Sequence, residues 1–197
     1  MMGIWGKIFG STNENKSEKS PYLPAEIVPL EISFAKNFTI KGGRFLYCET
    51  PPVSKVTFEK ICADLNCSKV DVFSLDKKLS SRFGSSFVCQ NSGSLISYKA
   101  ALMNCEYAIS NTGKILLSEH QIKHFNLSDF PNTIIVLATL NQLVSDVSQG
   151  MTLLKNKYGK EIPTNITTLK LPGEEKKNNN GYNAKNIYLL LEDSLIK

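Results

Sequence analysis

The run Thr133-Ile134-Ile135-Val136-Leu137-Ala138 constrains the fold more than any other stretch of this chain. It is a continuous run of β-branched and apolar residues, with no polar alternation. Such a run can be hidden from water only in a strand covered on both faces, as in a largely parallel sheet. The next stretch, Leu140 to Tyr158, predicts an amphipathic helix. Leu143, Val144, Val147, Met151 and Leu154 recur at three- and four-residue spacing, and Gly159 ends it. A buried strand leading into a helix is the repeating unit of an α/β fold.

The rest of the sequence reads the same way. A helix is predicted over Ile32 to Thr39, stopped by Gly42-Gly43 and followed by the strand Arg44 to Cys48. Pro51-Pro52 opens a second helix that runs to about Asn66. Val70 to Leu75 alternates like a strand, and Asp76 is placed to cap a short helix through Phe83. Tyr107 to Ser110 and Lys114 to Leu117 form two strand-like runs around Asn111-Thr112-Gly113, a hairpin pattern. Ile166 to Leu171 and Ile187 to Leu191 complete the strands. Between these last two, Pro172 to Lys185 reads as a loop rich in Asn and Lys.

The chain has 197 residues, enough for one domain with its own core. Residues 1–24 are expected to form a flexible lead-in and 25–197 a single α/β domain. Within the lead-in, Trp5, Ile8 and Phe9 could touch a partner or a membrane surface, or dock on the domain. No uncharged apolar run is long enough to predict a membrane span. Most of the net charge of +5 comes from the segment Met151 to Lys185, where seven lysines face three acids. That segment holds no Arg, which argues against nucleic acid as a partner and for a solvated surface. The five cysteines are odd in number and form no CxxC pair. Reduced thiols and a cytoplasmic location follow.

Few residues offer chemistry. His120 and His124 stand four apart, the spacing of two zinc ligands on a helix. No third ligand is evident, and Gln121 stands where the base of an HExxH motif would be. No metal and no cofactor are expected. Asn111, Thr112, Gly113 and Lys114 could offer amides, a hydroxyl and an ammonium to an anion. A plain turn in which Gly113 supplies a positive φ explains them as well. Gln142 and Asp146, also four apart, would share a helix face beyond the carboxyl end of the buried strand, where α/β sheets bind ligands. Helix capping accounts for that pair equally.

Cys105-Glu106-Tyr107-Ala108-Ile109-Ser110-Asn111-Thr112-Gly113-Lys114-Ile115-Leu116-Leu117-Ser118 resembles the signature of the LUD domain family, the group similar to lactate utilization protein C. The likeness continues through Phe130-Pro131, Thr133 to Ala138 and Asn141 to Asp146. Upstream, Phe34 to Phe38 and Gly42 to Cys48 look like the N-terminal part of its Bacteroidetes-type branch. The resemblance implies a Rossmann-like three-layer α/β sandwich with a mostly parallel sheet, related to the sugar-phosphate isomerase and CoA-transferase superfamily. It implies an accessory role in oxidation of lactate, a 2-hydroxy acid, beside iron–sulfur partner subunits or with a small anionic ligand. The alternative it leaves open is an enzyme acting on a sugar phosphate or an acyl-CoA. In that case Glu106 would be the candidate nucleophile. The ligand-binding set is then Glu106, Asn111, Thr112, Gly113, Lys114 and Gln142, with no catalytic residue assigned. Relatives place Gly-Pro-Ser-Arg-Thr-Ala-Asp-Ile-Glu and then Gly-x-His-Gly-Pro in the region where this chain has Leu171 to Tyr182. The Arg, Asp and His of those motifs are absent here.

Overall fold

Alternation along the strands sorts the apolar residues into separate cores, and this sorting sets the architecture. In the computed structural model, which describes residues 28–89, 94–174 and 184–193, the elements run as follows. They are α1 (Leu30–Ile40), β1 (Arg44–Cys48), α2 (Pro51–Asp64), β2 (Val72–Ser74), α3 (Lys77–Phe83), β3 (Ser86–Phe87), β4 (Ala100–Asn104), β5 (Tyr107–Ile109), β6 (Lys114–Ser118), α4 (Glu119–Ile122), β7 (Thr133–Thr139), β8 (Leu143–Val144), α5 (Val147–Tyr158), β9 (Ile166–Thr168) and β10 (Asn186–Glu192). The expected lead-in, residues 1–24, lies outside the described residues.

Six strands form one parallel sheet in the order β1-β10-β7-β4-β2-β3. In β7, Ile134, Val136 and Ala138 enter one core while Ile135 and Leu137 enter another. Strand β10 divides in the same way, Ile187, Leu189 and Leu191 against Tyr188 and Leu190. Helices α2 and α3 close one face through Phe58, Ile61, Leu79 and Phe83. The other face is covered by α1, through Phe34 and Phe38, and by a second sheet ordered β8-β5-β6-β9. That small sheet alternates too. Ala108, Ile115 and Leu117 face the large sheet, while Tyr107, Ile109 and Leu116 face α5 and its buried Leu154. The result is the expected Rossmann-like three-layer α/β sandwich, with the hairpin sheet sharing the third layer with α1.

Three expectations change. The helix predicted over 140–158 begins only at Val147. Leu140–Gln142 is a single 3-10 turn, and Leu143–Val144 pairs in parallel with β5. The spacing was misleading because Leu143 and Val144 are buried as strand residues, and Asp146 caps the true helix by accepting the Gln149 N–H at 2.9 Å. Strand β4 went unread because Ala100-Ala101-Leu102-Met103-Asn104 contains no β-branched residue. The strand expected over 166–171 stops at Thr168. Leu169 and Leu171 stay buried in the core beyond it.

Among the described residues no helix is long and apolar enough to cross a membrane.

Leu189 is fully buried at the centre of β10. Leu189→Ala should cost about 2–5 kcal/mol in chemical denaturation. The half-exposed Leu153→Ala on α5 should change stability by only about 0.5 kcal/mol.

Candidate functional site

The carboxyl edge of the parallel sheet is where an α/β protein of this kind presents chemistry. Two chain reversals meet there. After β4 the chain turns through Cys105 and Glu106 into β5. After β7 it turns through Leu140–Gln142 into β8. Gln142 holds the two reversals together. Its Nε2 donates to the Cys105 carbonyl at 2.5 Å and to the Glu106 carbonyl at 3.4 Å, and its Oε1 accepts the Thr139 N–H at 2.9 Å. The helical face expected to join Gln142 to Asp146 does not form, because Gln142 precedes β8 and Asp146 caps α5.

Glu106 lies just ahead of β5 and is 1% exposed. Four donors converge on its carboxylate. Oε1 accepts from Ser118 Oγ at 2.6 Å, Tyr158 OH at 2.9 Å and Gln121 Nε2 at 3.0 Å. Oε2 accepts from Lys157 Nζ at 2.8 Å. Burial alone would raise the carboxyl pKa. The bonds from Lys157, Ser118, Gln121 and Tyr158 outweigh it and hold the group down at about 2. A carboxylate with both oxygens so engaged is a poor nucleophile, since attack would require it to shed its donors. Neighbouring Cys105 is buried, which pushes its thiol up to about 12 and leaves it inert as a thiolate donor.

In front of this network lies a small polar cleft, bordered by Ser74, Asp76, Asn104, His120 and Gln121. Its volume is about 50 Å³. Substrate-sized pockets are on the order of 300–1,000 Å³, so this cleft has room for little more than water. Asp76 is occupied there. Oδ1 caps α3 and Oδ2 accepts from Asn104 Nδ2 at 3.3 Å. His120 stacks on Tyr158, with ring centroids 4.8 Å apart. Helix α4 ends at Ile122, so His124 is off the helix and packs at a tilt against the Phe125 ring instead. The two histidines therefore do not share a helix face, and among the described residues no cluster of His, Cys, Asp and Glu could hold a metal.

The turn Asn111–Lys114 lies at the opposite end of the hairpin, away from Glu106 and Gln142. It is docked on α1. The Asn111 N–H donates to the Ser145 carbonyl at 3.0 Å and the Gly113 N–H to the Ile109 carbonyl at 2.8 Å. Two of the amides that an anion cradle would need are thus spent. Asn37 Nδ2 donates to the Ser110 carbonyl at 2.8 Å, and Lys41 Nζ to the Thr112 carbonyl at 2.7 Å. Lys41 also pairs with Glu174 at 3.0 Å, and Lys114 approaches the same carboxylate at 3.9 Å. The Thr112 hydroxyl is buried without a partner. Gly113 has φ +63°, and a Cβ there would come within 2.5 Å of the Asn37 carbonyl carbon.

The six expected site residues thus fall into two groups, Glu106 with Gln142 and the Asn111–Lys114 turn. Ser118, Gln121, Lys157 and Tyr158 were not foreseen. Ser118-x-x-Gln121 does carry a sequence signal, a capping box. Lys157 and Tyr158 carry none, because their partner is 51 or more residues away.

A six-stranded parallel sheet with a hairpin sheet packed across one face defines this as an α/β-sandwich protein. Residues 90–185 match the family model described as LUD domain. A solved structure of a DUF162 family protein from Deinococcus radiodurans shares the fold, with a TM-score of 0.63 and 16% sequence identity. The alignment covers 83% of this chain and 96% of that one. No curated protein matches the chain.

Two outcomes follow from the site. The folded-state pKa of Glu106 is depressed, so its contribution to stability is present above pH 4.5 and is lost as pH falls toward 2. The wild type should lose roughly 3 kcal/mol across that window in denaturation curves. Glu106→Gln should be weaker at neutral pH and nearly flat over the same range. Gly113→Ala should cost on the order of 2–4 kcal/mol by the same measurement, through backbone clash and positive φ together.

Proposed function

We propose that the chain is a cytoplasmic accessory component of lactate (2-hydroxy-acid) oxidation, working by association with iron–sulfur partner subunits and not by covalent catalysis. The observation that carries this reading is the state of Glu106. It is the acid a CoA-transferase-like mechanism would draw on, and it is buried with four donors on its two oxygens. The 50 Å³ cleft in front of it supports the same conclusion, since neither an acyl-CoA nor a sugar phosphate fits that volume. The LUD match over 90–185 supports the link to lactate utilization. The cysteines of the described residues are free thiols, in keeping with a reducing compartment. A small anionic ligand at the Asn111–Lys114 turn would have Lys114 as its most accessible cation, 38% exposed along its side chain.

Affinity purification of the tagged full chain at native abundance should bring down iron–sulfur subunits. A purification empty of them would overturn the proposal. In parallel, CoA and ribose 5-phosphate at millimolar concentration should leave the melting temperature unchanged. A rise with either would favour the enzymatic alternative.

A further inference from the structure

The amino edge of the sheet carries a second polar feature, on the side away from Glu106. Strands β10, β7 and β4 are neighbours, with Asn186 opposite Thr133 and Ala101 opposite Ile134. The residues just before these strands, Lys185, Asn132 and Lys99, therefore stand in one row. Together with Ile96, Tyr98 and Phe130 they line a cavity of about 610 Å³, within the range of small-molecule sites.

Lys185 is the unusual member of this row. The sequence places it at the end of a solvated lysine-rich loop, yet it is only 4% exposed. An ammonium has three N–H donors. Here one of them is bound, to the Phe130 carbonyl at 2.8 Å. None of the described carboxylates is within ion-pairing distance of it. Burial pushes its pKa down. Asp129 is the one acid that opposes this, and its Oδ2 is taken by the Asn126 N–H at 2.8 Å. Lys99, the other cation of the row, is exposed and adds a like charge. A buried ammonium held by one neutral acceptor is costly, and an anion entering the cavity would supply the missing countercharge.

We propose that this cavity binds a small organic anion, with its carboxylate or phosphate on Lys185 and its apolar body against Tyr98, Phe130 and Ile96. The row supplies the donors, since Asn132 stands beside Lys185 on the adjacent strand and Lys99 one strand further on. The aromatic walls favour a ligand with an aryl or branched apolar body over a bare inorganic ion. This site is independent of the partner-docking role proposed above and stands or falls separately.

Calorimetric titration of the full chain with benzoate and with phenyl phosphate tests it, with benzamide and inorganic phosphate as the neutral and bodiless controls. One or both organic anions should bind with one-to-one stoichiometry, and benzamide should not bind. Inorganic phosphate should bind more weakly than phenyl phosphate. Lys185→Met should weaken binding about tenfold or more, because it removes the charge-assisted bond. Ile96 is 64% exposed, so Ile96→Glu keeps the fold while placing a negative charge at the mouth, and it should weaken binding several-fold. If Lys185→Met does not fold, Ile96→Glu decides the matter. No binding of either organic anion, or unchanged affinity in the folded variants, would overturn the proposal.

Discussion

Glu106 leaves water at the point where the chain passes from the large sheet to the small one, and the outer half of the structure is arranged around that fact. A buried carboxylate must be compensated, and its four donors come from three separate elements. Ser118 ends β6, Gln121 lies in α4, and Lys157 and Tyr158 lie in the last turn of α5. Satisfying one charge therefore fixes the hairpin, the short helix after it and the helix that backs the small sheet. Lys157 can do this while half exposed because its stem spans the distance from solvent to the buried oxygen. A second buried acid has the same role at the neighbouring end of the sheet. Glu192 accepts from Ser54 and Arg82, and so fastens α2 and α3 to the end of β10.

These two acids also explain why the carboxyl edge is closed. Its polar side chains are directed at one another and at main-chain groups, which leaves a cleft of water size. The amino edge is the reverse. There the strand-leading residues enclose a larger volume, and a cation is left with a single carbonyl. Polar satisfaction at one edge and its shortage at the other divide the molecule into a structural end and a receptive end.

Local chemistry was legible in the sequence. The β-branched run Thr133 to Ala138, the cap at Asp76, the hairpin around Gly113 and the closing strand at Ile187 all appear where the residues predict them. What was hidden depends on long-range partners. The sequence shows a hairpin at 107–117 but not that it leaves the main sheet, because alternation gives two faces without naming what covers each. Leu143 and Val144 suit either a helix or a strand by spacing, and the parallel pairing with β5 decided for the strand. Glu106 and Gln142 stood out as polar residues in an apolar region. Their engagement with Ser118, Lys157 and the Cys105 carbonyl turned candidates for ligand contact into parts of the frame. Lys185 was misread in the opposite direction, as one lysine of a solvated loop, because composition cannot register burial.

The strand order has a consequence for how the molecule is made. Strand β10 is the last of the described strands, yet it lies between β1 and β7, and with seven residues it contributes the full length of the sheet's middle. During vectorial synthesis β1 emerges early and stays without a sheet partner until β10 has left the ribosome. The half built on β7 and β4 can assemble beforehand, but it presents the long apolar flank of β7 as an open edge for that interval. The sheet is therefore completed by insertion and not by growth at an edge. A chain halted before Asn186 would expose two unpaired strand edges at once.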